Sequence, residues 1–380
     1  MDPQMLVDPT SNAALPAPFW FVQFFKTLGF CLHMVPMNLW FAGILLAMLL
    51  RAGGGGHGVV FSRRLMRQMP ILIAYGVNFG IVPLLFIQLA YYQFFYPATI
   101  LMAWWWMAIV VLLIPAYYGI YIYAFGLRDD DPTGPALARR CVGWGSAVLF
   151  VTIGFLFVNG FSLMDHAETW PSLWRSHRMA GAALGTGLSI FSVENLEILP
   201  RWLLMFGLAL GTTAAWMVLD AAWFARDESA AYRNWAARFA LRLTLLGASG
   251  FAVAGSWYVF GTWSPELRAT MFAWPAAPLT VATAVAPGLP VVLLLLLARR
   301  GFSRATATAV GVAQFGVLAV NAISRQVVQN VRIGAFVDLV GQPVAVDWSP
   351  LVLFLVLFVL GALLIFWMVV QVVRATQGTA

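Results

Sequence analysis

Nine long apolar stretches divide this chain, at about 19–50, 69–95, 99–125, 142–164, 201–224, 237–261, 276–298, 306–328 and 350–373. Several exceed the ~18 apolar residues that a bilayer-spanning helix requires. Backbone groups in hydrocarbon must satisfy one another within the segment, so stretches of this length are helices. The expected fold is all-α, a polytopic transmembrane bundle of nine spans forming one transmembrane domain over 1–380. With 62% hydrophobic and 10% charged residues, no soluble domain accommodates the composition. The first stretch is too long for one bilayer, and its start, residues 19–26, reads as an interfacial segment rich in Phe and Trp.

Charge sets an orientation. Arginines fall after the first, third, fifth and seventh spans (Arg51, Arg63, Arg64 and Arg67; Arg128, Arg139 and Arg140; Arg226, Arg233 and Arg238; Arg299, Arg300 and Arg304), and Arg374 is in the tail. The opposite loops hold fewer arginines and a larger share of the acids. The positive-inside rule then places the N-terminus outside and the C-terminus in the cytoplasm of a bacterial inner membrane. The formal charge of +7 is therefore an orientation signal, and no nucleic-acid partner is expected. The N-terminus lacks a basic n-region, so no cleaved signal peptide is read. Cys31 and Cys141 form no disulfide framework, zinc spacing or Cys-x-x-Cys-His haem site.

Two loops carry local signals. Gly53 to Gly56 reads as a flexible turn, and Asp129-Asp130-Asp131-Pro132 as a helix stop. Between the fourth and fifth spans lies the longest outer loop, about 165–200, whose piece Met179 to Phe191 is too short to span and reads as re-entrant or interfacial.

The polar groups inside the spans are the candidate sites, because ionisable residues at membrane depth are costly and mark function by default. Lys26 and His33 are seven residues apart, two turns on one face with roughly 10 Å of rise between them. Pro36 follows His33 and removes a backbone hydrogen bond near it. Two readings of His33 stand: a metal or haem-iron ligand, or a neutral imidazole bonded to a carbonyl of a neighbouring helix. In the second span Gly76 and Gly80 permit close helix approach, Asn78 is a candidate cross-link to the first span, and Gln88 is either glue or a cofactor contact. In the eighth span Arg325, Gln329 and Arg332 share a face, with Gln326 and Asn330 beside it. Arg325 is either a snorkelling helix end or a partner for ligand carboxylates. Asp220 is expected to pair with a nearby arginine such as Arg226 or Arg242. His57, His166 and His177 are assigned to loops, where exposed histidines are ordinarily solvated; His166 and His177 are candidate ligands at the membrane edge. No phosphate loop, zinc-protease motif or Ser-His-Asp arrangement is present.

With these residues in view, the chain resembles subunit I of the cytochrome bd quinol oxidases. Three segments carry the likeness. Leu28-Gly29-Phe30-Cys31-Leu32-His33 is similar to the family's first span with its haem-ligating histidine. Val77-Asn78-Phe79-Gly80-Ile81-Val82-Pro83 is similar to its Val-Asn-Phe segment, and Ser324-Arg325-Gln326-Val327-Val328 to its Gly-Arg-Gln-Pro-Trp motif. There are departures. Ala322 stands where the family has an acidic haem ligand, and Gln88 matches the family's glutamate only loosely. Leu199-Pro200-Arg201-Trp202-Leu203-Leu204-Met205 lacks the histidine that opens the family's fifth span, leaving Met205 as a substitute ligand. About 262–275 replaces the long quinol-binding loop.

The resemblance implies a subunit of a respiratory electron-transfer complex that links the quinone pool or partner haems to an outer-face c-type cytochrome or other redox subunit in a hetero-oligomer. It implies at most one b-type haem, with His33 as axial ligand, Arg325 as propionate partner and Met205 or His177 as the second ligand, Gln326 and Asn78 near the cofactor, and a quinone as the other candidate cofactor. Oxygen reduction is not expected. The alternatives are a haem-free anchor for a multihaem cytochrome and, third, a transporter.

Overall fold

The computed structural model describes residues 14–53, 55–127, 137–177, 197–225 and 227–378. Among them are fourteen α-helices: α1 Phe19–Asn38, α2 Ile44–Gly53, α3 Gly55–Ala90, α4 Tyr92–Met102, α5 Trp104–Phe125, α6 Leu137–Asp165, α7 Trp170–His177, α8 Ile198–Trp223, α9 Ala230–Ser256, α10 Pro265–Phe272, α11 Ala277–Val285, α12 Gly288–Arg300, α13 Arg304–Ile333 and α14 Trp348–Gly378. Nine helical stretches among the described residues are long and apolar enough to cross a membrane. The segment Met179 to Phe191 and the Asp129–Pro132 turn lie outside the described residues.

The first span is one continuous helix of two parts. Pro36 has no N–H to donate, and just past it Leu39–Gly43 forms a turn of wider π-helix. There the Ile44 N–H reaches back five residues, to the Leu39 carbonyl. Such turns insert one extra residue into a helix and are frequent at functional sites. All five residues of the turn are buried. The second span starts earlier than its apolar run, at Gly55, so Arg63, Arg64, Arg67 and His57 lie in helix. Gly55 has φ +68, a left-handed conformation that glycine adopts without strain and that lets α2 and α3 turn back on each other.

Lipid gives apolar side chains no reason to leave it, so helices in a bilayer associate where small residues let backbones approach. Two seams follow this rule. Along α1 and α3, Gly76 faces Trp40 and Pro36, Gly80 faces His33, and Gly29 faces Pro83 and Val82. Along α8 and α9, a Cβ on Gly207 would stand 2.7 Å from the Gly247 carbonyl oxygen. The last span is held differently. Phe354 and Phe358 of α14 pack on Phe25, and Phe354 also packs on Phe21 and Phe86, while most of the helix faces outward. The segment before it is stitched to the chain start, where Leu15 N–H donates to the Pro343 carbonyl (2.8 Å) and Ala345 N–H to the Leu15 carbonyl (2.9 Å).

Candidate functional site

His33 points from α1 into the seam with α3. Its Nδ1 is 2.7 Å from the Gly76 carbonyl oxygen, which only accepts, so Nδ1 carries the proton and donates. The ring lies against Gly80, where an added Cβ would be 2.7 Å from Cε1, and sits edge-on to Trp40 at 5.6 Å between centroids. This is the carbonyl-bonded imidazole of the second sequence reading. It also leaves the Nε2 lone pair with no hydrogen bond among the described residues. Metal-bound histidines are oriented in this way, by donating the other ring N–H to a carbonyl.

Lys26, two turns from His33 along α1, turns to α13 instead. Its ammonium donates to Gln329 Oε1 at 2.5 Å and lies 4.2 Å above the Tyr91 ring. Gln329 Nε2 passes the contact on to Asp165 Oδ1 at 2.9 Å. Asp165 Oδ2 accepts from Arg201 Nη1 (3.1 Å), which also donates to Glu197 Oε1 (2.6 Å). Glu197 further accepts from Ser162 Oγ (2.6 Å), and its Oε2 is ion-paired with Arg332 Nη1 at 2.8 Å. Beside this chain Tyr91 accepts from Gln23 and from Gln326 (3.0 Å) and donates to Asn330 Oδ1 (2.5 Å). Helices α1, α6, α8 and α13 thus meet in one buried polar network, with Tyr91 supplied by the break between α3 and α4. Glu197 lies just before its span. Burial pushes its carboxyl up, but Arg332, His166, Arg201 and the Ser162 hydroxyl outweigh that and hold it well below the usual carboxylate range.

The predicted site residues separate into groups. Arg325 lies over the faces of Phe30 (4.5 Å) and Phe161 (4.8 Å), within electrostatic reach of Lys26 and Arg201. Phe30 is one turn from His33, so Arg325 and His33 meet adjoining faces of α1. Gln326 joins the network through Tyr91 and Asn330, at 2.8 Å from Asn330 Oδ1. Met205 is half-buried in the main core, on α8, which meets α1 through Asn38 and Thr212 (2.9 Å), a different side from His33. Asn78 does not cross to the first span. It is exposed, and its amide donates to Ala74 of its own helix at 2.8 Å, because the residues facing α1 are the glycines on either side of it. Gln88 accepts from the Tyr96 hydroxyl at 3.3 Å. His166 Nδ1 donates to the Ser162 carbonyl (3.0 Å), 3.6 Å from Glu197 Oε1. His177 closes α7, and its side chain lies outside the described residues.

At the other end of the bundle Asp220 accepts from Arg64 Nε (2.6 Å), Arg64 Nη2 (3.0 Å) and Gln68 Nε2 (2.9 Å), all from α3, rather than from Arg242; the other expected partner, Arg226, lies outside the described residues. His57 lies in α3 rather than in a loop, edge-on to Tyr232 (6.0 Å between centroids) and tilted against Trp235 (5.9 Å). Sequence reasoning also missed Asp165, Glu197, Arg201 and Tyr91. The i,i+4 spacing of Glu197 and Arg201 was the available signal. Among the described residues no three His, Cys, Asp or Glu side chains group as a metal-ligand cluster.

No protein-family model matches the chain, and no curated protein sequence does. A solved structure, that of bd oxidase from Geobacillus thermodenitrificans, matches over 97% of this chain and 100% of its own, with a TM-score of 0.64 and 13% identity. Identity this low speaks for the fold alone: the chain is a membrane helical bundle built like a bd oxidase chain.

Proposed function

We propose that this chain is the membrane subunit of a respiratory electron-transfer complex and holds one b-type haem on His33. The observation that supports the reading is the imidazole itself. Its Nδ1–H is committed to the Gly76 carbonyl, which fixes the tautomer and leaves the Nε2 lone pair for iron. Charge supports it as well. Among the described residues of the network, Lys26, Arg201, Arg325 and Arg332 face only Asp165 and Glu197, and two propionates would supply the missing negative charge. Arg325, which reaches from α13 over the ring of Phe30, one turn from His33 along α1, is the propionate partner, and Gln326 sits beside it. The haem would supply one-electron chemistry; the chain would orient its ligand, neutralise its carboxylates and exclude water. Of the two candidates for the second axial position, Met205 lies on a different side of α1 from His33, which leaves His177.

In this reading the Lys26 end faces outward, where a c-type cytochrome or another redox subunit docks. The quinone pool or partner haems exchange electrons on the other side of the cofactor, in a bacterial inner membrane.

The test is a reduced-minus-oxidised visible spectrum of the purified chain. A b-type band that disappears in His33→Ala supports the reading. A colourless protein that is stable and co-purifies with a c-type cytochrome overturns it in favour of a haem-free anchor. The close fit of the His33 ring on Gly80 is the observation that favours that second reading.

A further inference from the structure

Where α8, α9 and α13 meet the seventh span, the structure holds a small, partly open cavity lined by Gly207, Gly211, Thr244, Gly247, Pro287 and Gln314, among others. It offers about 10 Å³ to the centre of a water-sized sphere, which is room for one water molecule. The crossing of α8 and α9 cannot close it with a side chain, because a Cβ on Gly207 would collide with the Gly247 carbonyl.

Its walls are mainly apolar, Leu208, Ala248, Phe251 and Val317 among them, and the two polar side chains that face it, Thr244 and Gln314, are under-bonded. Thr244 is 3% exposed, and its Oγ1 has no hydrogen-bond partner among the described residues. Other buried threonines of the bundle avoid this by donating to a carbonyl one turn back, as Thr212 does to Leu208 and Thr213 to Ala209. Gln314 Nε2 is engaged with Thr212 Oγ1 (3.2 Å), which accepts from Asn38 (2.9 Å), while Gln314 Oε1 lies along Gly211 with no donor among the described residues. The third wall is a kink. The seventh span runs as α11 and α12 with Ala286 and Pro287 between them, and Pro287 has no N–H for the Thr283 carbonyl. A hydroxyl without a partner in hydrocarbon costs several kcal/mol, and interrupted backbone at membrane depth persists where it lines a wet cavity.

We propose that one internal water occupies this cavity, accepting from the Thr244 hydroxyl and donating to Gln314 Oε1. Its second hydrogen is directed to the Pro287 wall. The water thereby ties the kink of the seventh span to α9 and, through Gln314, to the Asn38–Thr212 contact between α1 and α8.

The sign of one substitution decides the matter. Thr244→Val keeps the side-chain shape and removes the hydroxyl. If the cavity is dry, this deletes an unpaired polar group, and Tm is unchanged or rises. If the water is present it loses a partner, and Tm of the full chain in detergent falls by about 2–4 °C, whereas Thr244→Ser stays close to wild type. The wild-type map should show density within hydrogen-bond distance of both Thr244 Oγ1 and Gln314 Oε1 that is absent from Thr244→Val. If Thr244→Val does not fold, Gln314→Met read by hydrogen exchange at residues 283–289 replaces it, with faster exchange expected and unchanged exchange overturning the proposal. A Tm that rises with sodium but not with other salts would also overturn it, since the guest would then be a cation.

Discussion

Lys26 and Gln329, 303 positions apart in sequence, are joined by a 2.5 Å contact between ammonium and amide oxygen, and Gln329 hands its own amide hydrogen to Asp165. One neutral side chain therefore separates a buried cation from a buried carboxylate while bonding both. Gln329→Leu should leave each without that partner and destabilise the chain by about 3 kcal/mol, the usual cost of stranding buried charged groups. Lys26→Met, which leaves only a neutral oxygen unbonded, should cost clearly less. Denaturant or thermal unfolding in micelles ranks the two, and the reverse order would refute the relay.

The seam of α1 and α3 depends on the absence of two side chains. A Cβ on Gly76 would run into the Trp40 ring, and one on Gly80 into the His33 ring. Gly76→Ala should destabilise by about 1–3 kcal/mol, in the range of overpacked cores. Gly80→Ala should in addition shift or abolish the b-type band, since it displaces the imidazole. Spectra and unfolding curves of the two variants, taken together, check both statements.

Asp220 is bonded three times from one neighbouring helix. Asp220→Ala should cost about 3–5 kcal/mol by leaving the Arg64 guanidinium without its counter-ion. The double variant Asp220→Leu with Arg64→Met should recover much of that loss. A melting series of the single and double variants measures the coupling.

Glu197 gives the stability a defined acid limb. An unfolded glutamate titrates near ~4.3, and the folded carboxyl lies below that because its cations and the Ser162 hydroxyl overcome burial. Its contribution is therefore complete above the unfolded value and is lost as pH falls through the folded one. From pH 8 to 5 this group should leave Tm flat. Below about pH 4 the wild type should lose stability more steeply than Glu197→Gln. Parallel Tm profiles of the two chains provide the measurement.

Ala103 joins α4 to α5 with φ 46, a left-handed conformation that costs an alanine roughly 1 kcal/mol or more. Ala103→Gly should raise stability by a few tenths to about 1 kcal/mol, because relief of that strain exceeds the added freedom of the unfolded chain. A lowered midpoint in thermal unfolding would contradict this.

How far the sequence was legible depends on the range over which each feature is encoded. The spans follow from the length of apolar runs, a local property, and the helical stretches fall where the runs lie. Helical spacing likewise put Arg325, Gln329 and Arg332 on one face before any neighbour was known. Which neighbour each meets is another matter. The register between spans is set by where glycines allow backbones to touch, and a single sequence does not display it. Asp220 was matched to arginines close in sequence, yet α3 brought Arg64 to it from 156 positions away. Asn78 looked like a cross-link because an amide at membrane depth wants a partner, and it found one within its own helix. The seven-residue spacing puts Lys26 and His33 on one face of α1, yet the first side chain turns to α13 and the second to α3.

The wide turn at Leu39–Gly43 acts as a phase setter for the first span. One surplus residue in a helix rotates everything beyond it by roughly 100° relative to an unbroken α-helix. The half bearing Lys26 and His33 and the half bearing Ala47 and Met48, both buried, are thereby aimed independently. Removing a single residue from the turn would restore a regular spiral, and one half would then have to present its lipid-facing side to the bundle. The length of this short segment, more than the identity of any residue in it, keeps both aims true.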